Sequence, residues 1–149
     1  MSIEHPTGRD PGQTPAHYRH PSGLEPWHIV IHWPHPMASA FEYVWRVGKK
    51  GDPFSDFVKT IECLQVEAYR RRQLTTKQDT PFLLRNAEQM RIVWSADGGA
   101  RSDALFAIFD AVNESNELKL EAAIQLVLVL AVELVPSAEF MKLNALVSQ

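Results

Sequence analysis

Apolar residues recur at helical spacing along most of the chain. Met37, Ala40, Phe41, Val44 and Trp45 fall on one face and predict a helix over 36–47. Pro36 suits its first turn and Gly48 supplies a stop. Asp52 then reads as a cap and Pro53 as a first helical residue, and Phe54, Phe57, Val58, Ile61, Leu64 and Ala68 form the stripe of a second helix over 53–71. The link Gly48-Lys49-Lys50-Gly51 is short, so these helices form an antiparallel hairpin.

Three more helices are predicted at about 101–113, 116–135 and 137–147, with Pro136 at the last junction. The middle one is apolar nearly all round, which requires burial in the core or at a subunit interface, and a homo-oligomer is expected. Residues 81–94 read as a helix running into a short extended piece at 91–94, followed by a turn at 97–99. Residues 27–33 read as a short helix, although their alternation also suits a strand. Residues 1–36 hold seven of the ten prolines and all six histidines, so the chain is expected to begin as an arm, with little regular structure over 1–15. The fold expected is all-α: an arm over 1–23, then one domain over 24–149. In that domain the hairpin region 24–79 packs on a C-terminal helical cluster, 80–149.

Composition narrows the function classes. A chain of 149 residues with 45% hydrophobic and 22% charged residues can bury a core without staples. The net charge of −3 gives no reason to expect duplex nucleic acid as a partner. The most apolar run, 122–135, is fourteen residues long and carries Gln125 and Glu133, too short and too polar to cross a bilayer. One cysteine, Cys63, excludes an internal disulfide. With no basic-then-apolar start, the expected location is the cytoplasm, that of the host cell if the protein is phage-encoded.

The sequence holds no G-x-x-x-x-G-K-[ST], G-x-G-x-x-G, G-x-S-x-G, H-E-x-x-H or paired C-x-x-C. The hairpin carries the chemistry instead. Ser39, Glu42, Tyr43 and Arg46 share one face of its first helix, continued by Lys49 and Lys50 at the turn. Asp56, Lys59, Thr60 and Cys63 form a polar stripe on the second. Arg46, Lys49, Lys50 and Lys59 are cations that one small anion could meet together, with arginine offering a bidentate fork and lysine a point charge. Asp56 is the carboxylate among them, suited to a water-rich magnesium that bridges phosphates. A solvated helix face with capping lysines is the plain alternative.

The string Phe41-Glu42-Tyr43-Val44-Trp45-Arg46-Val47-Gly48-Lys49-Lys50, then Asp56-Phe57-Val58-Lys59 and Leu64, resembles the signature of the phage nucleotide kinases that lack a P-loop. That family reads approximately as an asparagine-containing helix ending in Tyr-x-Trp-Arg-x-Gly-x-Lys, followed by Asp-Leu-x-Lys and a Tyr-Leu. An upstream His-Tyr pair is also typical, and His17-Tyr18 stands in the matching place; the likeness covers about residues 17–72. The departures are Ser39 for the asparagine, Glu42 for a lysine, and Val58 where a second lysine often stands. The resemblance implies magnesium-dependent phosphoryl transfer from a nucleoside triphosphate to a deoxynucleoside monophosphate. Arg46, Lys59 and Asp56 would be the catalytic residues, Asp56 holding the metal. His17, Tyr43, Arg46, Lys49, Lys50 and Lys59 would line the substrate and phosphate site, with Trp45 against a base or in the helix packing.

Other polar clusters give weaker alternatives. His28 and His32, at i and i+4, could pair on zinc if helical, but Pro34 keeps His35 off the same helix and zinc is not favoured. Arg70, Arg71 and Arg72 read as cations compensating the C-terminus of their own helix. Glu114, Glu117 and Glu121 sit at helical spacing and resemble one acidic stripe of an all-helical nucleotide pyrophosphatase, a first alternative function. A second is a non-enzymatic helical protein that binds a host partner.

Overall fold

The computed structural model describes residue 18 and residues 20–73, 83–114 and 117–148. The expectation about 1–15 lies outside the described residues. Seven helices are described: α1 (Pro26–Val30), α2 (His35–Arg46), α3 (Pro53–Gln73), α4 (Leu83–Asp97), α5 (Gly99–Asn113), α6 (Glu117–Leu134) and α7 (Ser137–Val147). Among the described residues there is no strand, and the fold is all-α.

The hairpin forms as its punctuation dictates. The Asp52 side chain accepts a hydrogen bond from the Phe54 amide at 3.1 Å, and Pro53 opens α3. Gly48 ends α2 at φ 80°, and a Cβ there would lie 3.4 Å from Leu134. Met37, Ala40, Phe41, Val44 and Trp45 of α2 are all buried. On α3, Phe57, Ile61 and Leu64 are buried, while Phe54, Val58 and Ala68 are half-buried. The same helix buries Asp56, Thr60 and Glu67, so the supposed polar stripe is largely interior.

Four helices close a ring of pairwise contacts: α2 packs on α3, α3 on α6, α6 on α5, and α5 back on α2. α7 lies against α6 and α3, α1 against α2 and α4, and α4 against α5. An aromatic file of Trp33, Phe41 and Trp45 runs through the core, with ring centroids 5.1 and 5.8 Å apart.

One expectation needs correction, and the glycine turn holds. Residues 91–94 are helical, because Met90 and Val93 are buried three residues apart and belong to one uninterrupted α4. The turn at 97–99 is a helix-to-helix junction, where Gly98 and Gly99 take φ of 62° and 76°, values that side-chain-bearing residues rarely adopt. Of the two readings of 27–33 the helix holds, though only over Pro26–Val30.

Arginines from distant parts of the chain satisfy exposed helix ends. Arg101 of α5 donates to the carbonyls of Val44 at 2.7 Å, Trp45 at 3.2 Å and Val47 at 2.6 Å, closing the C-terminus of α2. Arg71 donates to Ala111 at 2.6 Å and Glu114 at 3.3 Å, closing α5, so this arginine serves another helix rather than its own. Arg70 and Arg71 also hold the wholly buried Glu67.

Candidate functional site

The last turn of α2 and the first turns of α3 face each other across the hairpin. Arg46 donates to Asp56 at 2.8 Å, and its other terminal nitrogen reaches the Tyr18 hydroxyl at 3.4 Å. Asp56 is 4% exposed. Its second oxygen, Oδ2, has no hydrogen-bond partner, and neither has Nε of Arg46. The Asp56 bond strengthens the hold of Arg46 on its charge, against a smaller opposing effect of burial. Tyr43 accepts two cations on its ring, with Arg46 5.1 Å and Lys59 5.5 Å from the centroid. Two positive groups from different helices thus gather at one phenol beside one buried carboxylate.

Of the residues singled out in the sequence, Tyr43, Arg46, Asp56 and Lys59 come together. Lys50 is exposed on the turn. Lys49 lies instead in the field of Arg101 and Asp97; burial and then Arg101 depress its ammonium, with Asp97 opposing. His17 lies outside the described residues, but its neighbour Tyr18 stands at the site. The backbone carbonyl of Tyr18 also accepts the Trp45 indole N–H at 3.0 Å, and Trp45 is 2% exposed, so Trp45 packs the core rather than offering a stacking face.

Glu42, the departure from the family's lysine, has its carboxyl pushed up, chiefly by burial, while His35 and Arg46 pull it back. Arg46 therefore has acids on two sides, Glu42 and Asp56.

Among the described residues the histidines do not converge on a metal site. α1 ends at Val30, so His32 is off the helix that carries His28, and the Glu25 amide donates to His28 Nδ1 at 2.8 Å. Sequence reasoning missed His20, a buried ring that contacts Asp97 at 2.8 Å and Ser22 at 2.7 Å and lies 5.6 Å from the Trp45 ring. Its partner is 77 residues away, and no local pattern reports such a pairing. The acidic stripe does not form either. Glu117 and Glu121 share α6, with Glu117 paired to Arg72 at 2.6 Å, but Glu114 follows the end of α5, so the three carboxylates do not lie on one helix. Among the described residues no group of three or more His, Cys, Asp or Glu is placed to hold a metal. No described helix is long and apolar enough to cross a membrane.

A cavity of about 450 Å³ opens elsewhere, between α3, α6 and α7. Its ionic lining is Glu117 and Glu121 against Arg72, which is already paired, a balance that repels phosphate. Comparisons with protein-family models, with curated proteins and with solved structures gave no significant match.

Proposed function

We propose that the hairpin face of Tyr43, Arg46, Asp56 and Lys59 binds nucleotide phosphates, and that the protein transfers a phosphoryl group from a nucleoside triphosphate to a deoxynucleoside monophosphate. One observation carries this reading. Two cations from separate helices are gathered at Tyr43, next to a buried carboxylate with an unpartnered oxygen. Asp56 already offsets the charge of Arg46, and Lys59, exposed beside it, is the cation left to meet a phosphate.

The chemistry asks little else of the protein. The acceptor phosphate is already an anion, so no general base is required. Transfer then depends on positioning and on neutralising charge. Lys59 supplies a mobile point charge to the phosphate, and Arg46 would add its terminal N–H groups by exchanging its contacts to Tyr18 and Asp56. Asp56 would be the carboxylate that holds magnesium through its unpartnered Oδ2, and because that atom is buried a hydrated ion would reach it only with the Arg46–Asp56 pair opened. When bound, magnesium would supply charge neutralisation on bridging phosphate oxygens.

Titration calorimetry with deoxynucleoside monophosphates and ATP tests the site. Lys59 is exposed, so Lys59→Ala should keep the wild-type melting temperature and lose about 1.5–3 kcal/mol of binding. Asp56→Asn should bind monophosphate without magnesium yet lose the metal dependence. It should also cost stability, about 2–3 kcal/mol, since Arg46 loses its buried partner; partial exposure of Arg46 keeps this below the range for a wholly buried pair. Wild-type affinity in Lys59→Ala would remove the face from the reaction.

A further inference from the structure

The ring of four helices leaves one face of α6 to solvent, and that face is apolar. Leu118, Val129 and Val132 are 75%, 52% and 61% exposed, and Ala122 is exposed between them. Half-buried Leu126 adjoins them and, with Ala122, lines a groove of about 280 Å³ that α5 and α4 complete with Phe106 and Trp94. These two aromatic rings are 40% and 47% exposed, with centroids 5.8 Å apart. One α-helix and two flanking aromatics therefore present a largely apolar surface, interrupted by Gln125 and edged by Asp103, Asp110 and Lys119, of the kind that marks an interface.

The charges on the flank of this face, beside Phe106 and Trp94, specify what covers it. Lys119, Ala122, Leu126, Val129 and Glu133 follow the 3-4-3-4 spacing of a coiled-coil seam, with a cation at one end and an acid at the other. Lys119 and Glu133 each lie seven residues from Leu126. Two such helices related by a two-fold axis at Leu126 run antiparallel and set Lys119 of each against Glu133 of the other. The seam residue nearest Ala122 is then Val129 of the second copy, one residue off level, small against large. A parallel pair would oppose Lys119 to Lys119 and Glu133 to Glu133. Like charges directly opposed cost several kcal/mol, enough to decide the orientation.

We propose that α6 is the centre of an isologous dimer interface, formed antiparallel with α6 of a second copy about a two-fold axis at Leu126. Phe106 and Trp94 pack along its flank. Lys119 keeps its own-chain contact to Asp110 at 3.0 Å, and its three donors allow it to serve Glu133 of the second copy as well. The symmetry makes every contact occur twice, the usual arrangement of a closed homodimer.

Sedimentation of the full chain across micromolar concentrations tests this, with circular dichroism to confirm the helix content of each variant. Wild type should sediment as a dimer, and Val129→Glu, at an exposed position, as a folded monomer. Val66→Glu, equally exposed on α3, should remain a dimer. Glu133→Lys should weaken the dimer at least about tenfold, and adding Lys119→Glu to it should restore the wild-type affinity. A monomeric wild type overturns the proposal. So does a Val129→Glu dimer, or a charge reversal that neither weakens nor rescues.

Discussion

At Glu42 and Asp56 one arginine stands between two acids held in different ways. Asp56 is tied to Arg46 directly, whereas Glu42 is shifted chiefly by burial. A carboxyl raised above its ordinary 4.5 binds its proton more tightly folded than unfolded. The folded state therefore carries more protons between that value and its own pKa, and stability falls as pH rises through this window. Glu42→Gln removes the effect. The variant should melt higher than wild type at pH 7, with the difference closing below about pH 4.5. A constant difference across pH would mean that Glu42 acts through packing and not through its proton. On the proposed function the same variant should also bind monophosphate more tightly, since one of the two acids competing for Arg46 is gone.

Among the elements, α2 is held most explicitly, with a glycine stop at one end of its turn and a borrowed arginine on its last carbonyls. Arg101→Ala leaves the carbonyls of Val44, Trp45 and Val47 without that donor and should cost about 2–3 kcal/mol. Gly48→Ala, at φ 80°, should cost about 1–2 kcal/mol. Urea unfolding with an unchanged slope measures both, and a loss under about 0.5 kcal/mol for Arg101→Ala would show that water replaces it. The limits of α2 and α3 were legible in the sequence because caps and stops are local: Pro36, Gly48, Asp52 and Pro53 act within a turn of themselves. Arg101 on α2, Arg71 on α5 and Asp97 on His20 were not, since each partner lies 40 or more residues away and leaves no periodic trace. The extended piece at 91–94 failed for a related reason. Ile92 and Val93 favour strands by themselves, and packing of Met90 and Val93 overrides that preference.

For the whole molecule, the hairpin is one side of a four-helix ring, and this is what brings Arg46, Asp56 and Lys59 to Tyr43. The sequence placed these four residues on facing stripes but gave no sign that Asp56 would be interior, because a polar residue on a helix is exposed by default. Its burial makes the Arg46–Asp56 pair both a structural tie and the centre of the proposed site, so the two roles must be separated in one assay. The most direct measurement is transfer of labelled γ-phosphate from ATP, with magnesium, to each common deoxynucleoside monophosphate, in wild type and in Lys59→Ala. The account predicts a labelled diphosphate with matching ADP from wild type, and at least about tenfold less from a fully folded Lys59→Ala. Wild type that transfers no label to any monophosphate, or a Lys59→Ala that transfers it as fast as wild type, would contradict it.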